Sequence, residues 1–247
     1  MPIIIETRSN DIRTRTAPQD RTDIAIATIA LEYQLYERSV LSQRLCPDDQ
    51  SYISEKMRVL IIDGAAPDDA DVKRLVEMVG QELQRMNVPF ESVALREKNI
   101  APCRGCYGCW IETPGQCHNQ DDGPDIIRSW MVSDMVILVG NVTFGCYPSL
   151  LKNMLDRMIG ILHPYYVAKR SSVEHLARYE FNPSLLAVGV RTELNEQNDE
   201  TFKRLVHQNA ITLNLFSART SLICTEENES SKIDKLSSAL AGMKVRK

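Results

Sequence analysis

The chain has 247 residues, 25% of them charged, a formal net charge of -4 and seven cysteines. That length buries a sizeable core, in one large domain or in one domain with an appendage. The mild acidity provides no basic field for nucleic acid or for an anionic membrane, and both are excluded as partners.

Residues 1–56 read as an N-terminal extension, distinct from the remainder of the chain. A short β-like run at Ile3 to Ile5 precedes a charged stretch with Arg8, Arg13, Arg15 and Arg21, where little core is available. From Asp20 onwards Ile24, Ala27, Ile29, Leu31, Leu35 and Val40 fit one amphipathic helix that ends near Cys46 and Pro47. Its apolar stripe must be covered, and a packing or oligomerisation arm is the expectation. No apolar run approaches the roughly 20 residues that cross a bilayer, and the opening MPIIIETRSNDIRTRT has no basic end followed by a long apolar stretch. A soluble cytoplasmic protein is expected.

At residue 57 the pattern changes, and residues 57–247 read as one α/β domain. MRVLIID is a continuous apolar run ending at Asp63-Gly64, the mark of a strand buried on both faces of a parallel sheet. Val72, Leu75, Val76, Val79, Leu83 and Met86 then recur at helical spacing across residues 68–86. Residues 90–95 alternate as a second strand, and Gly123-Pro124 opens a short helix through Val132. DMVILVGN (134–141) is the third strand, succeeded by a helix from Ser149 to about Leu162. SLLAVGV (184–190), a helix near 198–216, TSLICT (220–225) and a last helix near 230–243 complete the pattern. Five strands alternating with helices predict a doubly wound, flavodoxin-like parallel sheet of order 2-1-3-4-5, because parallel neighbours need right-handed helical crossovers.

Residues 163–183 exceed an ordinary helix-to-strand connection and predict an inserted lid or contact loop. Tyr165, Tyr166 and Tyr179 would stack on a planar ligand or, more commonly, line a subunit interface. His163 and His175 suit surface or hydrogen-bonded core roles better than catalysis.

Between the second strand and the next helix lies PCRGCYGCWIETPGQCHNQDD, with Cys103, Cys106, Cys109 and Cys117. The spacing C-x2-C-x2-C-x7-C, folded back at Pro114-Gly115, brings soft thiolates towards one centre. An iron-sulfur cluster suits that pitch better than zinc, which more often uses two separated C-x2-C knuckles. Reactive thiols without metal, and simple packing, stay open beside it. Lone cysteines such as Cys46 and Cys224 read as apolar filler.

In such a sheet a ligand sits outside the carboxyl ends of the strands. Here those ends are residues 63–69, the cysteine loop, residues 141–147 and residues 191–193. From residue 57 to about 225 the chain resembles the flavodoxin-fold NAD(P)H-dependent oxidoreductases of the NADPH-dependent FMN reductase superfamily, and within it the iron-sulfur flavoproteins. PCRGCYGCW with Cys117 is similar to their compact cysteine motif, and NVTFGCYPSLLKNMLDR (141–157) to the segment whose loop lies against the flavin ring. The resemblance implies FMN, a [4Fe-4S] cluster on Cys103, Cys106, Cys109 and Cys117, and NAD(P)H as a substrate. It implies flavin contacts from Gly64, Ala65, Ala66, Asn141, Val142, Thr143, Phe144 and Gly145, with Arg104 available to the phosphate. The flavin would carry the chemistry, passing electrons to a small acceptor or an electron-transfer protein from a homodimer or homotetramer.

One turn departs from the family. Its Gly-Ser-rich phosphate turn is replaced by DGAAPDDADV, where Ala65, Ala66 and Pro67 lack side-chain donors and Asp68, Asp69 and Asp71 add negative charge. FMN is then held by other groups such as Arg104 or Arg191, or the chain is a flavodoxin-like scaffold or partner subunit that has lost FMN.

Overall fold

A computed structural model of the chain describes residues 4–6, 57–168, 173–179 and 182–244. The amphipathic helix expected within residues 20–47 lies outside these.

The strands β1 (Ile4–Glu6), β2 (Val59–Asp63), β3 (Phe90–Ala94), β4 (Met135–Asn141), β5 (Leu162–Ala168), β6 (Val173–Ala177), β7 (Ser184–Arg191) and β8 (Ala218–Cys224) form two sheets. The larger has five strands in the order β3-β2-β4-β7-β8, and every pairing in it is parallel. Counted along its own strands this is 2-1-3-4-5, the predicted flavodoxin-like order. The predicted and observed strands of this sheet overlap throughout; for the three central strands the reason is that an apolar run buried on both faces is legible without a partner.

Alternate residues of each central strand face opposite layers. Leu60, Ile62, Val136, Leu138, Leu185 and Ala187 point to one core, where α3 (Gly123–Val132), α4 (Ser149–Arg157) and α5 (Glu196–Thr212) contribute Trp130, Leu151, Met154 and Phe202. Val59, Ile61, Ile137, Val139, Leu186 and Val188 point to the other, against Leu75, Val79 and Leu83 of α1 (Ala70–Arg85) and Leu236 and Leu240 of α6 (Glu229–Ala241). Each such side chain contributes about 1.5–3 kcal/mol by leaving water. Short polar residues begin three of the helices. The side chains of Asp69, Asn195 and Asn228 accept from the N-H groups of Val72, Asn198 and Ser231, satisfying donors that the first helical turn leaves unpaired.

The stretch 163–183 is not the expected loop. It contributes a hairpin, β5 paired antiparallel to β6, and β1 joins it in parallel with Ile4 opposite Tyr166. β5 pairs on one side with β6 and over Tyr166 to Ala168 with β1 on the other, so the extra length belongs to a second, three-stranded sheet. The tyrosines pack within the chain. Tyr166 lies on His175 with ring centroids 4.3 Å apart, and Tyr165 on His163 at 4.8 Å. His163 is buried, and burial with the Arg178 and His175 charges pushes its pKa down to about 4.

Candidate cofactor site at the carboxyl edge of the sheet

The parallel register brings Asp63, Ala94, Val139 and Asn141 to one edge of the sheet, and the loops beyond these strand ends build the site there. The cysteine loop begins beyond a short 3-10 turn at Leu95–Glu97 and contains one helical turn, α2 (Gly108–Ile111). Gly105 (φ 64) and Tyr107 (φ 56) occupy the left-handed region, which reverses the chain between successive cysteines. Cys103, Cys106, Cys109 and Cys117 line one cavity, together with Arg157 and His118. Cys103 and Cys106 are exposed, Cys117 is half-buried and Cys109 is buried. Burial, and next the charges of Cys117, Cys103 and Cys106, push the Cys109 thiol up, so all four sulfurs share one electrostatic neighbourhood.

Two residues that sequence reasoning passed over hold this loop closed. The Asp121 carboxylate accepts from Arg157 Nη1 at 2.8 Å and Nη2 at 3.1 Å, and from the backbone N-H groups of Ala101 and Gly123, both at 2.9 Å. Arg157 also donates to Ala101 O at 2.7 Å. Both side chains are almost fully buried. The pair therefore clamps the chain just before Cys103 to the chain just after Cys117. Burial raises the Asp121 pKa, but Arg157 and the two N-H groups outweigh it and hold the carboxyl below its usual range. The signal was in the sequence: Arg157 falls three residues after Met154 and six after Leu151, on the apolar face of α4.

Other elements buttress the loop. Trp110 Nε1 donates to Ile159 O at 2.8 Å, and its ring meets His175 of the hairpin at 5.6 Å. A Cβ on Gly115 would stand 3.1 Å from the Tyr179 hydroxyl, so the hairpin also abuts the Pro114-Gly115 turn. A Cβ on Gly108 would stand 2.5 Å from the His118 ring, so only glycine admits that ring.

The donor set fits an iron-sulfur cluster. Four soft thiols surround one cavity, and a buried guanidinium offsets the negative charge that thiolates bring. Among the described residues no three His, Cys, Asp or Glu side chains gather closely enough to hold a single metal ion.

The loop after β4 is a tight hairpin. Thr143 and Cys146 exchange backbone hydrogen bonds of 3.0 and 2.9 Å, and Phe144 (φ 50) and Gly145 (φ 74) between them both take positive φ, as a type I′ turn requires. Glycine suits its position; phenylalanine does not, and its side chain is 90% exposed. An aromatic ring is thus held into solvent on a strained backbone, in the loop expected to meet a flavin. Val142 instead packs inward, its N-H bonded to Val190 O at 2.8 Å. Arg104 is exposed and lies 3.5 Å from Asn119 Oδ1.

The turn after β2 does not fit a phosphate. Gly64 is essential, because a Cβ there would stand 2.5 Å from Leu151 Cγ, but its role is close packing. Ala65 is fully buried and its N-H donates to Asp63 Oδ1 at 2.8 Å, while Asp63 Oδ2 accepts from Arg96. Of the three expected contacts in this turn only Ala66 is exposed. The helix N-terminus beyond is occupied by the Asp69 side chain, which accepts from Val72 N at 3.0 Å and from Asn141 Nδ2. Asn141 is thereby committed to the turn. Arg191, the alternative phosphate ligand, is paired with Asp199.

Fold and edge together define a flavodoxin-like α/β protein with a cysteine-lined cavity at the carboxyl edge of its sheet. Residues 57–172 match the family NADPH-dependent FMN reductase. Two curated relatives are iron-sulfur flavoproteins. One, from Methanocaldococcus jannaschii, is 30% identical over 101 residues, 41% of this chain and 51% of the relative. The other, from Archaeoglobus fulgidus, is 26% identical over 101 residues, 41% of this chain and 48% of the relative. The chain thus spans about half the length of the curated relatives it matches. Among solved structures, an NAD(P)H:quinone oxidoreductase from Methanothermobacter marburgensis superposes with TM-score 0.54 at 14% identity, over 74% of this chain and 94% of that one. An FMN-dependent NADH-azoreductase from Bacillus anthracis, in complex with FMN, gives TM-score 0.54 at 11% identity, over 75% and 97%. These two likenesses are of fold. No helix among the described residues is long and apolar enough to cross a membrane.

Proposed function

We propose that the chain is a flavin-dependent oxidoreductase, taking electrons from NAD(P)H or a reduced carrier and passing them to a small acceptor or a partner protein. The family match points to FMN as the flavin. We further propose a [4Fe-4S] cluster on Cys103, Cys106, Cys109 and Cys117, in a homo-oligomer working in a reducing compartment such as the cytoplasm. The observation that carries the reading is the single cavity lined by all four cysteines, on a flavodoxin-like fold, at the edge where such sheets bind ligands. A bound flavin accepts electrons as a pair and can release them singly, which is how it works with a one-electron centre. The protein's own part is placement. The Thr143–Cys146 turn presents the Phe144 ring, and the Asp121–Arg157 clamp holds the cysteine loop.

The test is anaerobic purification and then a visible spectrum, with iron, zinc and acid-released flavin quantified on the same sample. About one flavin and four irons per chain are expected. A colourless protein that takes up neither flavin nor iron on reconstitution would refute the reading. It would favour a scaffold that keeps the fold without its chemistry, to which the occupied helix N-terminus gives some support. One zinc per chain without redox activity would instead make the cysteine loop structural.

A further inference from the structure

In a sheet of this order the crevice opens between the carboxyl ends of β2 and β4, where the strand order reverses, and the N-terminus of the helix after the first strand faces it. Asp69 ties that helix and β4 together from within the chain. One carboxylate oxygen caps α1 through Val72 N at 3.0 Å, and the other accepts from Asn141, the last residue of β4. The remaining donors of the turn are largely committed. Ala65 N-H goes to Asp63 Oδ1 at 2.8 Å, Asp69 N-H to Ala66 O and Ala70 N-H to Asp68 O, both at 3.1 Å, and Pro67 has no N-H. Lys73 donates its ammonium to Pro67 O. Asp68 and Asp71 of the same turn are exposed, where solvent screens their charge.

We infer that the Asp69 carboxylate is a built-in occupant of the phosphate seat, so that this chain selects a flavin without its 5′-phosphate: riboflavin binds more tightly than FMN. The inference rests on the flavin reading above and specifies the form of flavin. The physical ground is charge and donor count. A phosphate monoester carries about -1.5 to -2 at neutral pH, and it would enter beside a carboxylate that already holds the cap. Repulsion between unit like charges about 4 Å apart amounts to roughly fivefold in affinity in water and roughly a thousandfold at an intermediate dielectric. A flavin that ends in a hydroxyl meets no such repulsion. Asp69 is therefore the specificity-determining residue of this turn.

The test titrates riboflavin and FMN separately into the purified full-length chain, stripped of any flavin it carries, and reads binding by quenching of flavin fluorescence. Riboflavin is expected to bind at least tenfold more tightly than FMN. Asp69→Asn keeps a good helix cap and removes the charge, and it should strengthen FMN binding at least tenfold with riboflavin changed by less than threefold. Asp69→Ser, also a good cap, should do the same, which guards against a fold defect specific to one substitution. Asp68→Asn removes a charge outside the seat and should move the FMN to riboflavin ratio by less than threefold. Equal affinities or tighter FMN in the natural chain, or a ratio unmoved by both Asp69 variants, would overturn the inference while leaving the flavin reading intact. Binding of neither flavin to the natural chain or to any variant would overturn the flavin reading and the inference with it.

Discussion

Replacing Asp121 by alanine should be among the most damaging single changes in the domain. The side chain is 5% exposed, and its carboxylate accepts two hydrogen bonds from Arg157 and two from the backbone. Alanine leaves the Arg157 charge buried, with the Ala101 carbonyl at 2.7 Å but no carboxylate against it. Removing one member of a buried pair costs about 3–5 kcal/mol, a large part of the roughly 5–15 kcal/mol that keeps a domain folded. In a urea titration monitored by circular dichroism this is a fall in midpoint of about 1–2 M. The double variant Asp121→Leu with Arg157→Met removes both charges and should recover more than half of the loss, since a well-packed apolar pair often equals a buried ion pair. The double variant still lacks the clamp across the cysteine loop, so its iron content after anaerobic reconstitution should stay well below that of the natural chain. A loss under about 1 kcal/mol for Asp121→Ala, or full iron uptake by the double variant, would refute the reasoning.

Single features of the structure carry three further expectations. Phe144→Gly relieves a left-handed backbone strain of about 1–2 kcal/mol and sacrifices almost no buried surface, so the midpoint should rise while flavin binding weakens; a fall in stability would show that the turn is not strained. Gly108→Ala drives a methyl group to 2.5 Å from the His118 ring and should destabilise the domain by about 1–3 kcal/mol while lowering iron uptake; unchanged iron content would refute the role given to that packing. His163 titrates near 6.5 unfolded and about 4 folded, so the unfolded chain binds more protons between those values and stability must fall as pH drops from 6.5 through 4. The slope approaches about 1.4 kcal/mol per pH unit and should flatten in His163→Asn; an identical profile in the variant would show that other groups dominate.

The larger sheet was legible because its three central strands are apolar on both faces, a pattern that needs no knowledge of partners. The hairpin of residues 162–177 was not. Its strands are half-exposed and rich in histidine and tyrosine, and their stability comes from pairing with each other and with Ile4–Glu6, far away in sequence. The cysteine motif announced itself by density, yet its clamp did not. Asp121 looks like one of two loop acids, and its meaning depends on Arg157, 36 residues further on. Asp69 was readable as a cap, because capping is local, whereas its bond to Asn141 spans 72 residues and needed the fold.

The two halves of the site have been treated in opposite ways by the sequence, and this bears on the chemistry. The cysteine loop is over-supported: a buried ion pair closes its ends, Trp110 and the hairpin brace its middle, and Gly108 makes room for His118. Packing of that kind has little purpose for a loop that merely fills space, and it is what a site must have to hold ligands within a fraction of an ångström. The turn after β2 is equally well ordered, but its hydrogen bonds close on themselves and leave net negative charge in the turn. If the riboflavin preference proposed for this chain holds, the internal carboxylate of Asp69 is its cause, and comparing riboflavin with FMN on the Asp69 variants tests it directly.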